Sequence, residues 1–407
     1  MRIFFSVGEP SGDLHGANLI HALRNRHPDW EFVGYGGPKM ATAGCTLHAD
    51  LTQLAVMWVA QVLIHLRKFL KLVADADRYF GAERPDAVIL IDYPGFNWHI
   101  ARKAKARGIP VIYYGTPQLW AWASWRVRKM RSFVDHVLCK LPFEEKWFRD
   151  RGCHASYVGH PYFDELATQP IDDDFLRQFQ CDSRPLVTIL PGSRTQEITS
   201  NLRSMLVAAR QIRERVPQVK FAVAVFKEGQ RELVKRLIDS SGVDAELHVS
   251  RTPELIRAAR CCLACSGSVS LELLHCEKPT VILYQVSRLG FFVQRIFRKV
   301  RYITLVNLLT AEDPFAHGSA GIYDPADPRD AHVLMPEYLT CEDRTAELTG
   351  HVVDWLTDKC EYERIVRGLA ELKDRVGQCG ASERAAEYIS HLLDGTGETA
   401  KRWAPAA

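Results

Sequence analysis

Short apolar runs alternate along the chain with longer stretches whose apolar residues recur at helical spacing. The runs "RIFFSV", "EFVGYG", "AVILID", "PVIYYG", "HVLCKL" and "ASYVG" read as strands, most of them followed by a helix-length segment. Nearly continuous apolar strands separated by helices indicate parallel sheets covered on both faces. After the acidic, proline-containing segment "TQPIDDDFLRQFQCDSRP" the alternation restarts with "LVTILPG", "KFAVAVF", "AELHV", "CCLACSG" and "TVILYQ". The expected fold class is α/β, with two doubly wound, Rossmann-like domains facing a ligand cleft. The restart puts the boundary near residues 165–185. The expected division is residues 1–170, residues 171–365, and a segment 366–407 made of a C-terminal helix and a disordered tail.

A length of 407 residues agrees with two domains, and 47% hydrophobic with 25% charged residues describes a globular protein. A net charge of +3 is too small to argue for nucleic acid, and the basic run "WASWRVRKMRSF" carries no recognised binding motif. No nucleic-acid partner is therefore expected. A strand starting at Arg2 leaves no room for a signal peptide, and no apolar stretch reaches the roughly 18 residues of a spanning helix. The expected location is cytoplasmic. The 11 cysteines are odd in number and follow no framework, which suits reduced, buried thiols. "CCLAC" contains Cys262 and Cys265 at a C-x-x-C spacing but lacks a second pair. No metal and no cofactor are expected.

Four loops carry candidate chemistry. In "GEPSGDLHGA", Ser11 is placed to cap the following helix and Asp13 to sit in its first turn. Helix capping explains these residues by itself. Glu9, Ser11, Asp13 and His15 together also put several hydrogen-bonding groups at a strand's carboxyl end, which suits a site. In "LIDYPGFN", Asp92 ends an apolar strand before a Pro-Gly turn, with Asn97 one turn on. It reads either as a loop starter or as a general base whose partial burial raises its pKa. "LPGSRTQE" places Gly192, Ser193 and Arg194 at a helix start, where free amides and a guanidinium suit a diphosphate. "CSGSVSLE" repeats this with Ser266, Gly267 and Ser268, and adds Glu272 as a partner for ribose hydroxyls.

Residues 56–73 and 288–305 form basic amphipathic stretches. Val59, Val62, Leu63, Leu66, Phe69, Leu70 and Val73 recur at helical spacing beside Arg67, Lys68 and Lys71. The second stretch carries Arg295, Arg298 and Lys299 and no acid. Such helices either pack on a core with a solvated basic face or lie on an anionic membrane surface.

"GEPSGDLHGA", "LIDYPGFN", "TPQLWAWASWRVRKM", "VGHP", "LPGSR", "SGSVSLE" and "VNLL" together resemble the lipid-A-disaccharide synthase family, in order and in approximate spacing. The resemblance implies an inverting glycosyltransferase of the GT-B type. Its donor would be UDP-2,3-diacylglucosamine and its acceptor 2,3-diacylglucosamine 1-phosphate (lipid X), with UDP released. It implies work at the cytoplasmic face of the inner membrane, hence a peripheral protein on an anionic surface. A homodimer is compatible with the sequence. On the family's motifs the proposed base falls on Asp92; Glu9, Ser11, Asp13 and Asn97, read from the loops themselves, join it as catalytic candidates. Arg194, Ser266, Gly267, Ser268, Glu272 and Asn307 fall in donor roles. The chain departs from the family in Gly95, where many members have an acid, and in "VNLL" for "PNLL". It also carries an insertion around residues 310–332.

The alternatives are another UDP-sugar enzyme of the same architecture, a UDP-GlcNAc 2-epimerase among them, and a non-catalytic nucleotide-sugar-binding protein. Turnover of UDP-GlcNAc without a membrane would favour the epimerase. A binding protein would have no need of Asp92.

Overall fold

The computed structural model describes residues 1–55, 59–315 and 322–395, and within them all side chains except those of 54–66 and 180. The chain separates into two compact units, Met1–Glu165 with Gln378–Ala407, and Leu166–Gly377.

The first unit is built on seven parallel strands: β1 (Arg2–Val7), β2 (Glu31–Gly36), β3 (Cys45–Asp50), β4 (Ala87–Ile91), β5 (Val111–Tyr114), β6 (His136–Cys139) and β7 (Ala155–Tyr157). Their order is β3-β2-β1-β4-β5-β6-β7. The second unit holds β8 (Leu186–Leu190), β9 (Lys220–Val225), β10 (Glu246–Val249), β11 (Cys261–Ala264), β12 (Thr280–Gln285) and β13 (Glu337–Thr340). Their order is β10-β9-β8-β11-β12-β13. Each sheet winds outwards in both directions from a central pair, β1/β4 in one and β8/β11 in the other. β4, β8 and β11 are buried along their whole lengths and β1 in all but its first residue, as helices on both faces require.

Two strands escape the apolar-run reading. β3 is an edge strand whose polar residues leave it partly exposed. β13 is buried but polar at both ends, with Glu337 neutralising its own burial cost by accepting from Ile303 N (2.7 Å), Thr304 N (2.9 Å) and Asn307 Nδ2 (3.0 Å).

The segment expected as a separate piece, 366–407, is divided between the two units. Helix Lys359–Val376 stays with the second. Helix Ala381–Leu393 belongs to the first, where Ala385, Ala386 and Ile389 join the core around Leu19, Ile20 and Leu23. Its start is held by Asp164, which accepts from the amides of Gly380 (2.6 Å), Ala381 (3.2 Å) and Ser382 (2.9 Å). The apolar stripe of a single helix needs a partner, and the sequence does not show which sheet provides it.

The insertion is anchored by a buried ion pair. Asp330 accepts from Arg301 Nε (2.7 Å) and Nη2 (2.6 Å), from Tyr302 Oη (2.5 Å) and from Asp324 N (2.8 Å). Tyr323 sets its ring edge-on to Tyr338 at 5.6 Å.

Candidate active site

Open parallel sheets bind ligands at the carboxyl edge where the winding reverses. In the first unit that place lies between the loops after β1 and β4, which are the loops of Glu9 and Asp92. Asp92 and Tyr93 both take left-handed backbone, with φ of 45° and 44°. Such strain costs about 1–3 kcal/mol per residue and persists only where the surroundings over-determine it. Here Asn97 Nδ2 (2.8 Å) and Tyr113 Oη (2.5 Å) both donate to the Asp92 carbonyl, and the Asp92 amide donates to Gly115 O (3.3 Å). Gly8 brings the first loop against the second: a Cβ there would stand 2.2 Å from the Tyr93 ring. The Asp92 carboxylate is thereby presented at the sheet edge, its Oδ1 3.2 Å from Lys140 Nζ.

Three of the neighbouring residues do other work than expected. The first helix begins at Pro10 with Glu9 as its N-cap, so the exposed Ser11 lies inside the first turn and caps nothing. Asp13 is buried and caps a different helix, Pro38–Thr42: it accepts from the amides of Gly37 (2.9 Å), Lys39 (3.0 Å) and Met40 (3.1 Å). Asn97 is fully buried, bonded to Ser6 as well as to the Asp92 and Ile91 carbonyls. It shapes the Asp92 turn and has no surface left for substrate. Glu9 is exposed at the loop.

The structure adds residues that pattern reading passed over. Lys140 follows β6, inside the run "HVLCKL" that was read as strand. Burial alone would lower the pKa of its ammonium, but the charges of Asp92 and Glu144 outweigh burial and hold it above the ordinary lysine value. His15 is pushed down to about 3, by burial first and then by Lys140 and Lys39. His160, of "VGHP", is also lowered by burial and by Lys140. Both rings are neutral near pH 7.

In the second unit the reversal lies between the loops after β8 and β11, which are "LPGSR" and "CSGS". Gly192 has φ of 126°, and a Cβ there would stand 2.5 Å from Glu197 Cβ. The amides expected to be free for phosphate are occupied: Ser193 N (3.0 Å) and Arg194 N (3.1 Å) both donate to Glu197 Oε2. A carboxylate three residues into the helix satisfies these orphan donors, as in a capping box. Arg194 itself is 75% exposed, with Nη1 2.9 Å from Glu197 Oε1. Ser266 Oγ donates to Ile303 O (3.2 Å), and Gly267 and Ser268 are exposed. Glu272 is buried in the first turn that follows. Asn307, expected in a donor role, is fully buried, with its amide spent on Met335 and Glu337, and so ties its helix to β13.

The basic amphipathic stretches differ from one another. In helix Val59–Ala82, Leu63 and Leu66 lie outside the described side chains; Arg67, Lys68, Leu70 and Lys71 are exposed. Phe69 turns inwards onto Tyr93 and Phe96, so the later part of this helix covers a core. Helix Arg288–Phe297 buries none of its residues. It exposes Leu289 (74%), Phe292 (60%), Val293, Ile296 and Phe297 to solvent. Arg295 and Lys299 are exposed, but Arg298 is buried, donating to Arg301 O (2.9 Å), and cannot meet a surface.

Residues 3–317 match the family described as Lipid-A-disaccharide synthetase. A lipid-A-disaccharide synthase of Myxococcus xanthus is 34% identical over 396 residues, covering 96% of this chain and 97% of the relative. The chain belongs to the lipid-A-disaccharide synthase family. It is a glycosyltransferase of lipid A biosynthesis. Among solved structures, a putative UDP-N-acetylglucosamine 2-epimerase from Listeria monocytogenes superposes with a TM-score of 0.66 at 12% identity, over 97% of each chain. The calicheamicin glycosyltransferase does so with 0.58 at 14%, over 97% of this chain and 99% of that one. At such identities these two matches speak for the fold alone, the two Rossmann-like units of GT-B enzymes, and members of the lipid-A-disaccharide synthase family carry the function. Among the described residues no His, Cys, Asp or Glu group is arranged to hold a metal ion, and no helix is long and apolar enough to cross a membrane.

Proposed function

We propose that this glycosyltransferase moves 2,3-diacylglucosamine from UDP-2,3-diacylglucosamine to 2,3-diacylglucosamine 1-phosphate with inversion. The observation that carries the reading is the Asp92 carboxylate, held at the winding reversal by a strained and over-determined turn, with one oxygen on Lys140 and none of the other oxygen's capacity used among the described residues. Inversion is a single in-line displacement. Asp92 Oδ2 takes the proton of the acceptor hydroxyl as its oxygen bonds the sugar carbon from the face opposite the nucleotide. The bond from that carbon to the diphosphate oxygen breaks, and its electron pair leaves with UDP. Arg194 meets the growing charge on the diphosphate, which gains the amides of Ser193 and Arg194 by displacing Glu197. Ser266, Gly267, Ser268 and Glu272 complete the donor site. Purified protein given the two acylated substrates tests this directly: a disaccharide of inverted configuration and free UDP are expected. Turnover of UDP-GlcNAc with no disaccharide formed would overturn the reading in favour of an epimerase.

The donor site makes its own prediction. One charge-assisted hydrogen bond is worth about 1.5–3 kcal/mol, so Arg194→Ala should raise the Kd for UDP by roughly ten- to a hundredfold. Glu272→Gln should weaken UDP through the ribose. Calorimetry in excess chelator measures both, and the parent should bind UDP equally well with and without divalent ions. Loss of binding with chelator would point to a metal-dependent donor site.

Acylated substrates bring the enzyme to a bilayer, so its working location is peripheral on an anionic membrane surface. The exposed apolar face of helix Arg288–Phe297, flanked by Arg295 and Lys299, supports that placement.

A further inference from the structure

We infer that Lys140 is a positioning residue for the reaction assigned to Asp92: its ammonium fixes one carboxylate oxygen and leaves the other for the acceptor hydroxyl. The inference rests on Asp92 being the base. Lys140 follows β6, two strands away from the end of β4, a separation of about 10 Å across the sheet. A lysine stem covers that distance, and the end of the intervening strand β5 is followed by Gly115, whose φ of 69° is left-handed backbone.

The other acid within reach does not compete for the ammonium. Glu144 is fully buried, and its oxygens accept from Lys140 N (2.9 Å), Leu141 N (3.0 Å), Trp120 Nε1 (2.9 Å) and Thr116 Oγ1 (3.2 Å). It fixes the Lys140 backbone, and the side chain goes to Asp92 at 3.2 Å, with only 14% of Lys140 and 19% of Asp92 exposed. The histidines and phenols facing the pair keep their protonation state near pH 7. His15 and His160 are neutral, and the phenols of Tyr93, Tyr113 and Tyr114 are raised by burial. Lys39 and Glu9 are both exposed. A carboxylate turned even slightly from the hydroxyl loses much of its advantage, because a misplacement of about 1 Å can cost a hundredfold.

The test compares Lys140→Met, Lys140→Gln and Lys140→Arg with Asp92→Asn. Met and Gln are expected to lower kcat by about ten- to a hundredfold with KM and UDP affinity nearly unchanged. Arg, which keeps the charge, should restore part of the rate with KM unchanged. Parent-like kcat in Met and Gln, with Asp92→Asn inactive, would overturn the role of Lys140. An active Asp92→Asn would instead remove the base reading on which it rests. If the Met variant fails to melt cooperatively, the Gln variant is read in its place. Failure of both, with Arg folded, assigns Lys140 a structural role and overturns the inference.

Discussion

Asp92→Asn is expected to lower kcat by about 10²–10⁴ while the Kd for UDP stays within roughly twofold of the parent. The amide keeps the size of the carboxylate and can still accept from Lys140 Nζ, so the turn formed with Asn97, Tyr113 and Gly115 should persist. It loses the ability to take a proton. The effect should therefore appear in kcat and kcat/KM together, as for an interaction made only in the transition state. The donor groups proposed for UDP, Arg194 and Glu272 among them, belong to the other compact unit, which is why UDP affinity serves as the internal control. A variant with a near-normal rate removes Asp92 from the mechanism. A variant that loses UDP binding as well reports a damaged fold, and the thermal melt distinguishes the two.

The course of the chain through this site shows what a linear pattern can reveal. The parallel sheets were legible because "AVILID", "LVTILPG" and "CCLACSG" are too apolar to have a solvated face, and the observed strands coincide with them. The loops at the winding reversals were legible because glycine, proline and serine interrupt those runs. Side-chain partners were not. Asp13 stands where a first-turn carboxylate belongs, yet it turns to the amides of Gly37, Lys39 and Met40, a contact set by tertiary packing. Glu197 was hidden by the same limit: its spacing from Arg194 fits a capping box, but only the folded loop brings it onto the amides a phosphate would use. Lys140 was absorbed into an apolar run because its charge is neutralised by a residue 48 positions away. β13 and helix Ala381–Leu393 depended on long-range pairing, with Glu337 and Asp164 supplying the polar closure.

The second large effect is expected at the exposed apolar helix. Leu289, Phe292, Val293 and Ile296 follow the i, i+3, i+4, i+7 spacing of one helical face, and all four are exposed. An apolar stripe of this kind on a charged helix costs solubility unless it meets a surface. On the proposed acylated substrates, that surface is a bilayer. Full burial of such a side chain is worth about 1.5–3 kcal/mol, so returning half-exposed residues to an apolar medium gains about 1 kcal/mol each. The triple change Leu289→Ser, Phe292→Ser and Ile296→Ser should then weaken vesicle binding by roughly a hundredfold. Since these side chains are exposed in the folded chain, the melting temperature should move little. Arg288, Arg295 and Lys299 add about 1 kcal/mol each near an anionic surface, so the parent's binding should fall as salt rises and be weaker on neutral vesicles. Arg298 is buried, and Arg298→Gln is not expected to change the salt dependence. Co-sedimentation with anionic and neutral vesicles across a salt series measures all of this. Undiminished binding by the folded triple variant would assign membrane contact elsewhere, to Leu70 and its basic neighbours. No vesicle binding by the parent, with a concentration-dependent dimer that the triple variant abolishes, would show that the face meets a second copy of the chain.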